Sequence, residues 1–211
     1  MKKYLYVQIL LALVSSITFL VLQPVLLLAN QPTNHIERLY GNSRYQTMLQ
    51  IALKFPGIVD NVILTTGNNF PDALAGVPLA HQKEGPLLLV DSTPEASPDT
   101  LNYIKDHLNK KGNIYILGGT VAVPDSFISA FENLGFQSTN IHRLAGSDRY
   151  ETALAIAREL QHNGSEFYLV QGDNFPDALS ASVLAATTGY VSVEKSNYYK
   201  TTRWFSNDGY V

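Results

Sequence analysis

Short apolar runs alternate along the chain with segments whose apolar residues recur at helical spacing. The runs predict buried strands at residues 62–65, 86–90, 113–117 and 167–170. Capping residues or prolines ahead of the helical segments predict helix starts at Ser43, Ser97, Pro124 and Asp148. Strands that are apolar throughout and alternate with helices favour a parallel sheet covered on both faces. The sequence therefore predicts an α/β fold, a parallel sheet flanked by helices that is Rossmann-like in the broad sense.

Two sequence blocks occur twice at one offset. The block RLYGNSRYQT, which begins at Arg38, returns as RLAGSDRYET from Arg143. The block GNNFPDAL, which begins at Gly67, returns as GDNFPDAL from Gly172. Both pairs lie 105 residues apart. Separated blocks that recur at the same offset indicate a tandem repeat of about 105 residues.

The second repeat matches the first only over part of its length. The match fades at Gly189, and residues 191–195, which align with strand 86–90, are a poor candidate for a buried strand. We therefore expect a first repeat at 38–142, a truncated second repeat at 143–189 and a divergent, aromatic-rich tail at 190–211.

The N-terminus predicts export. Lys2 and Lys3 precede an apolar run from Tyr4 to Leu22, as in a secretory signal. Residues 1–29 are the expected signal peptide, with cleavage after Ala29. An uncleaved anchor stays open as an alternative, because about 20 apolar residues can span a bilayer.

Composition excludes several classes of function. Fifteen basic and 18 acidic residues give a net charge of −3, which argues against a nucleic-acid partner. Cysteine is absent, so the chain has no disulfide, zinc–thiolate site or cysteine nucleophile. No metalloprotease, nucleophile-elbow or phosphate-loop motif occurs, and no histidine has a repeated partner. We expect no catalytic residues, no metal and no cofactor, which favours binding over turnover.

The repeated block around Gly67 and Gly172 has two interpretations. The helix that follows each glycine would offer N–H groups and a positive dipole end to an anionic ligand. Alternatively, Asn69 and Asn174 cap the helix while Asp72 satisfies its first turn. Phe70 and Phe175 of this block are expected to act as hydrophobic staples and not as platforms on which a ligand stacks.

The repeated arginines have two interpretations as well. A guanidinium suits bidentate contact with phosphate or carboxylate, so these side chains are candidates for binding an anionic ligand. The alternative is a structural ion pair, with Arg44 reaching an aspartate such as Asp72. The repeated tyrosines, Tyr45 and Tyr150, are expected as core residues with a hydrogen-bonded tip.

Both blocks, together with the segments PLLLV and NIYILGGTVAVP, resemble the type-2 cell-wall-binding repeat. The resemblance covers residues 38 to about 189. It implies an exported protein of a Gram-positive bacterium, with a Toprim-like α/β fold and repeats that usually occur as three tandem copies. It also implies non-covalent attachment to an anionic wall polymer, such as a polysaccharide or a teichoic-acid-like polymer.

Carried onto this sequence, the resemblance singles out the repeated motif positions. The candidates for polymer binding are Arg38, Arg44, Asn69, Arg143, Arg149 and Asn174. The positions expected to shape the motif are Gly41, Tyr45, Gly67, Phe70, Pro71, Asp72, Gly146, Tyr150, Gly172, Phe175, Pro176 and Asp177.

From the sequence we expect an extracellular, non-catalytic module whose function is to bind the cell wall. The sequence holds about one and a half copies of a repeat that usually occurs three times. We therefore expect the chain to form a homotrimer or to pair with other repeats. Two alternatives stay open: a peptidoglycan hydrolase of the amidase type or its modifier, and a structural surface-layer component or remnant without polymer contact.

Overall fold

The structure is a computed structural model that describes residues 36–160, 167–172, 174–188 and 191–195, together with Tyr4 and Ser16. The chain divides into two units, Met1–Arg38 and Leu39–Val211. The expected signal peptide and most of the aromatic-rich tail lie outside the described residues. Among the residues that are described, no helix has the length and apolar character needed to cross a bilayer.

Helices and strands alternate, as the sequence predicts. The helices are α1 (Arg44–Ala52), α2 (Pro71–Ala75), α3 (Val77–Gln82), α4 (Pro98–His107), α5 (Ser126–Asn133), α6 (Arg149–Glu159) and α7 (Phe175–Thr188). The strands are β1 (Val59–Thr66), β2 (Leu87–Val90), β3 (Leu108–Leu117), β4 (Ile141–Leu144), β5 (Phe167–Gln171) and β6 (Val191–Lys195). A short 3₁₀ helix, Ser138–Asn140, leads into β4.

The strands form two parallel sheets, one per repeat. The larger sheet has the order β2-β1-β3-β4, and the smaller pairs β5 with β6. The α/β fold with a parallel sheet flanked by helices is thus confirmed, while the finer likeness to Rossmann or Toprim folds stays a prediction. The pairing of β6 shows that residues 191–195 do form a strand, in the place that β2 takes in the first repeat.

The last strand of the larger sheet, β4, crosses the boundary between the two sequence repeats. Strand β4 contains Arg143, the first residue of the second sequence block, yet it pairs in parallel with β3, with Ile114 opposite Ile141. In the first repeat, the corresponding residues are 36–39, and these have no regular secondary structure. The folding unit is therefore shifted along the chain relative to the sequence repeat.

Two apolar clusters cover the faces of the larger sheet. On one face, Phe127 and Phe131 of α5 are fully buried with residues of α1 and α4. On the other face, Leu79 of α3 and Ile156 of α6 share a cluster with Leu117. Each large side chain buried in this way contributes about 1.5–3 kcal/mol to stability. The second cluster joins the repeats, because it combines helices of both.

The two repeats begin their first helices in the same way. The N–H of Gln46 donates to Ser43 Oγ at 3.2 Å, and the N–H of Glu151 donates to Asp148 Oδ1 at 2.8 Å, which confirms both predicted N-caps. The return bonds of the capping box go one residue further back than usual. Gln46 Oε1 accepts from the N–H of Asn42, and Glu151 Oε2 accepts from the N–H of Ser147.

One helix is continuous in the second repeat and broken in the first. Helices α2 and α3 meet at Gly76, with Pro78 inside the first turn of α3. Their counterparts in the second repeat are Ala181 and Val183, and α7 runs unbroken from Phe175 to Thr188. Because proline lacks the N–H that a helix interior requires, the break in the first repeat has a local cause.

Candidate functional site

The arginine that starts each repeat's first helix is tied to the turn after the repeat's first strand. Arg44 Nη1 donates to the carbonyl oxygen of Gly67 at 2.5 Å, and Arg149 Nη1 donates to that of Gly172 at 2.7 Å. Each of these bonds uses only one of the five N–H donors that a guanidinium carries. The geometry thus repeats at the carboxyl ends of β1 and β5.

Beside Arg44, three polar side chains form a group that we call the Asp91 cluster, Tyr45, Asn68 and Asp91. The Tyr45 hydroxyl donates to Asn68 Oδ1 at 3.4 Å, and Asn68 Nδ2 donates to Asp91 Oδ1 at 3.3 Å. Hydrogen bonds, first of all from the backbone N–H of Ser92, lower the pKa of the half-buried Asp91 carboxyl. Asp91 is therefore an ionised acceptor at neutral pH.

Sequence reasoning missed Asn68 and Asp91. Asn68 follows β1 and Asp91 follows β2, and the two strands are adjacent and parallel. The carboxyl ends of parallel neighbours meet at one edge of the sheet, so the strand order would have identified the cluster. The sequence alone did not provide that order.

Tyr45 explains one repeated glycine. A Cβ atom at Gly67 would collide with the Tyr45 ring, so this glycine makes room for the tyrosine. Burial, assisted by the charge of Asp91, raises the pKa of Tyr45. Tyr45 has the predicted hydrogen-bonded tip, but it is half-buried and belongs to neither apolar cluster, so it is not the core residue that the sequence predicted.

Each repeated block RLYGNSRYQT or RLAGSDRYET contains a glycine and a threonine that hold the turn before the repeat's first helix. The Gly41 N–H donates to Thr47 Oγ1 at 3.0 Å, and the Gly146 N–H donates to Thr152 Oγ1 at 3.2 Å. A Cβ at either glycine would collide with the residue five positions later, Gln46 or Glu151. These motif positions therefore hold the backbone of the turn.

The repeated asparagines order their own turns. Asn69 Oδ1 accepts from the N–H of Phe70 at 3.0 Å, and Asn174 Oδ1 accepts from the N–H of Phe175 at 3.1 Å. The sequence predicted Asn69 as the N-cap of α2, but the N-cap is Phe70, which makes no side-chain capping bond, and Asn69 lies one position before it. Phe70 and Phe175 pack edge to face, with ring centroids 6.0 Å apart.

Arg143 joins three elements at the end of the larger sheet. Its Nη1 donates to the carbonyl oxygen of Gly118 at 2.9 Å, and its Nη2 pairs with Asp125 Oδ1 at 2.8 Å. The side chain thus connects β4 with the ends of β3 and the start of α5. Its counterpart Arg38 is exposed and lies outside regular secondary structure.

The alternative interpretation of Arg44, an ion pair with an aspartate such as Asp72, does not match the structure: Arg44 donates to the Gly67 carbonyl, and the charge that acts on Asp72 is that of Arg149. Asp72 instead packs against Gly118, where a Cβ would lie 2.5 Å from its Oδ2 atom. Burial raises the pKa of Asp72, and the charge of Arg149 partly opposes the rise. The arginine whose charge acts on Asp72 therefore comes from the other repeat.

The remaining motif residues differ in exposure between the repeats. Tyr150 is half-buried and Gly172 buried, but Pro176 and Asp177 are exposed where Pro71 is buried and Asp72 half-buried. The described residues contain no group of three or more His, Asp or Glu side chains that could hold a metal ion.

The comparisons with known proteins identify the family. Residues 38–128 and 143–201 match the family described as Cell wall binding domain 2 (CWB2). The match extends over more than half of the chain, and the chain belongs to this family. It is a cell-wall-binding module in class, and the two matched segments correspond to one full copy and a truncated second copy of the family's repeat.

Two curated relatives match the chain in sequence. N-acetylmuramoyl-L-alanine amidase LytC of Bacillus subtilis (strain 168) is 32% identical over 157 residues, which cover 74% of this chain and 30% of that protein. The Amidase enhancer of the same organism is 29% identical over 151 residues, which cover 72% of this chain and 19% of that protein. The chain thus spans less than a third of either relative.

Two solved structures share the fold. Cwp8 from Clostridium difficile has a TM-score of 0.70 and 30% identity, over 77% of this chain and 28% of that chain. Cwp6 from Clostridium difficile has a TM-score of 0.62 and 24% identity, over 79% of this chain and 27% of that chain. The latter shows likeness of fold alone.

Proposed function

We propose that the chain is exported, attaches non-covalently to an anionic polymer of the Gram-positive wall and catalyses no reaction itself. Membership of the CWB2 family supports the attachment. The predicted signal in residues 1–29 supports export. The likeness to the amidase extends over only 30% of LytC, so it supports a common means of attachment better than a common reaction.

The observation that carries the proposal is the position of Arg44 beside the Asp91 cluster. In open α/β sheets, ligands bind outside the carboxyl ends of the strands, which is where Arg44, Asn68 and Asp91 lie. The guanidinium offers N–H donors to a carboxylate or a phosphate. The Asp91 carboxylate accepts hydrogen bonds from hydroxyl groups.

This combination fits a polymer that presents hydroxyls next to its anionic groups, namely an acidic polysaccharide. A bare polyphosphate chain would gain from Arg44 but would be repelled by the ionised Asp91. The same reasoning extends to Arg149 in the second repeat, which makes the equivalent bond to Gly172. Asn69, Asn174, Arg38 and Arg143 remain candidates for secondary contacts.

Co-sedimentation with purified walls of the source bacterium tests the proposal. We expect the chain to pellet with untreated walls and to stay in the supernatant when acid has removed the phosphate-linked polymers. Arg44→Ala should lower the retained fraction severalfold, because a charge-assisted contact contributes about 1.5–3 kcal/mol. Lys105→Ala, which removes an exposed cation on α4, is the matched control and should bind as the unmodified chain does.

Failure of the folded chain to pellet with untreated walls would contradict attachment and leave a structural or remnant role. The amidase alternative is assayed in the same tubes: new amino groups in the wall supernatant would show hydrolysis and contradict the proposed lack of catalysis. Equal retention on intact and acid-treated walls would show that the ligand is not the acid-labile polymer.

A further inference from the structure

A groove lies between α1 and α4 of the first repeat. Its volume is about 410 Å³, within the range of about 300–1,000 Å³ that is usual for sites that bind small ligands. Of its lining residues, Gly41 and Gln46 hold the entry into α1, and the others have no part in the site around Arg44. The contacts of Arg44 therefore leave the groove unexplained.

The α1 wall of the groove combines amide and apolar side chains. Gln46 and Gln50 are four residues apart, as are Leu49 and Leu53, so each pair lies on one side of the helix. Both glutamines are exposed, Leu53 is 52% exposed and Leu49 is half-buried. This wall therefore presents CH groups and amide groups side by side.

The α4 wall is polar. Asp99, Asn102 and Asp106 recur at intervals of three and four residues, and all three are exposed. Tyr103 also lines the groove, but it is buried and its hydroxyl donates to the Ala52 carbonyl oxygen at 3.0 Å. This hydrogen bond joins α4 to the end of α1 and so fixes the two walls relative to each other.

The charge of the groove differs from that of the contact at Arg44. Among the described residues that line it, two are aspartates and none is a lysine or an arginine. A phosphate or carboxylate group of a ligand would be repelled here. A hydroxyl group fits instead, because it donates to a carboxylate and both donates to and accepts from an amide. A pyranose ring carries such hydroxyls around its rim and CH groups on its faces, which match the leucines.

The groove starts next to the Asp91 cluster. The Asp91 N–H donates to Ser97 Oγ at 2.8 Å, and Ser97 is the N-cap of α4, two residues before Asp99. On the other wall, Gln46 lies two residues after Arg44. One polymer chain can therefore pass from the contact at Arg44 into the groove without leaving the protein surface.

We propose that the part of the groove nearest to the Asp91 cluster binds an uncharged sugar residue of the polymer whose anionic group contacts Arg44. We call this part the sugar groove and define it as Gln46, Leu49, Gln50, Asp99 and Asn102. The inference rests on the proposed function and adds to it a second subsite with a different ligand chemistry. The polymer must accordingly carry neutral sugar residues next to its anionic groups.

Equilibrium dialysis of the full chain against an uncharged probe tests the inference. The probe is the oligosaccharide fraction that acid releases from the walls, treated with phosphatase and passed over an anion exchanger so that no anionic group remains. We expect saturable binding that changes less than about twofold between low and high salt, because salt does not screen contacts to an uncharged ligand. Wall retention through Arg44 should instead weaken as salt rises.

Variants of exposed residues locate the site. Gln50→Ala and Asn102→Ala should each weaken probe binding severalfold, as expected when one hydrogen bond is lost. Asn102→Trp should abolish binding, because the indole fills the groove. Asn133→Ala removes an exposed amide on α5, and Asp106→Ala removes an acid seven residues, or about 10 Å, beyond Asp99 on α4. Both are matched controls and should bind the probe as the unmodified chain does.

Nuclear magnetic resonance provides a readout that does not depend on substitution. The side-chain amide signals of Gln50 and Asn102 should shift as the probe is added to the unmodified chain, and that of Asn133 should not. Shifts confined to residues outside the sugar groove would overturn the inference.

Other outcomes overturn it as well: a folded chain that binds no probe, an Asn102→Trp variant that binds as well as the unmodified chain, or binding that high salt abolishes. Walls whose acid extract contains no neutral sugar would also contradict it. A chain that pellets with walls but ignores the probe keeps the proposed function and loses the sugar groove. A chain that binds the probe but does not pellet with walls contradicts the proposed attachment instead.

Discussion

The charge of Arg149, the first residue of α6 in the second repeat, acts on the half-buried carboxyl group of Asp72 in the first. Burial raises the pKa of Asp72 more than Arg149 lowers it. Asp72 also packs against Gly118 at the end of β3. The pKa of the Asp72 carboxyl group therefore depends on the packing of both repeats.

We expect Asp72→Asn to change how stability depends on pH. A carboxyl group whose pKa is raised in the folded state destabilises the fold when it ionises. The loss begins as the pH rises past the usual aspartate pKa, about 3.9, and is complete once the pH exceeds the pKa in the folded state. The asparagine variant lacks this cost, so the unmodified chain should lose stability relative to it between about pH 4 and neutral pH. Chemical unfolding at several pH values measures the difference.

Asp177→Asn is the matched control, because Asp177 occupies the same repeat position but is exposed. It should leave the profile parallel to that of the unmodified chain. An Asp72→Asn profile that also stays parallel would contradict the buried position of Asp72.

Gly118→Ala should destabilise the chain strongly. Gly118 has a φ angle of +101°, and an added Cβ would press on the Asp72 carboxyl. A strained backbone of this kind costs about 1–3 kcal/mol before the displacement of Asp72 is counted. Gly119→Ala, where a Cβ meets nothing within 4 Å, should change the free energy of unfolding by no more than about 0.5 kcal/mol. Equal effects of the two substitutions would refute the described turn.

Ser43→Ala should lower the free energy of unfolding by about 1 kcal/mol, because it removes the side chain that accepts from the Gln46 N–H. Ser129→Ala provides the comparison, since Ser129 is an exposed residue inside α5 and alanine is a better helix former there. Urea denaturation of both variants measures the contrast, and a loss at Ser129 as large as that at Ser43 would argue against the cap.

Asp91→Ala should weaken retention on polysaccharide-bearing walls, because it removes the acceptor proposed for hydroxyl groups. A polymer made of phosphate groups without sugars would instead bind the variant better, since the repelling charge is gone. Asp106→Ala removes an exposed acid on α4, away from the Asp91 cluster, and is the control that should behave as the unmodified chain. Co-sedimentation with walls and with a soluble polyphosphate distinguishes the two polymer chemistries.

The sequence predicted the local features well because their causes are local. Strand β1, the start of α4 at Pro98 and both N-caps depend on neighbouring residues, and the structure has all of them. The partner of Asp72 depends on how the repeats pack, which no local pattern encodes. The ion pair that the sequence offered as an alternative therefore joined Asp72 to Arg44, from the same repeat, whereas the charge acting on Asp72 is that of Arg149.

Strand β6 shows a different limit. Residues 191–195 lack the apolar pattern of a buried strand, yet they pair with β5 from Phe167 to Gln171. Backbone hydrogen bonds in a parallel ladder do not require apolar side chains, so periodicity underestimates such a strand. The Asp91 cluster was missed for a related reason, because it depends on the order of strands within the sheet.

Strand β4 has a mechanical consequence. The chain leaves the sheet of the first repeat through β4, which lies alongside β3 in the parallel direction, and passes directly into the second repeat. A pulling load that travels along the chain between the repeats therefore acts along the length of β4. It strains the hydrogen bonds between β4 and β3 together, in shear, and does not peel them apart one after another. The link between the two repeats is thus built to resist tension.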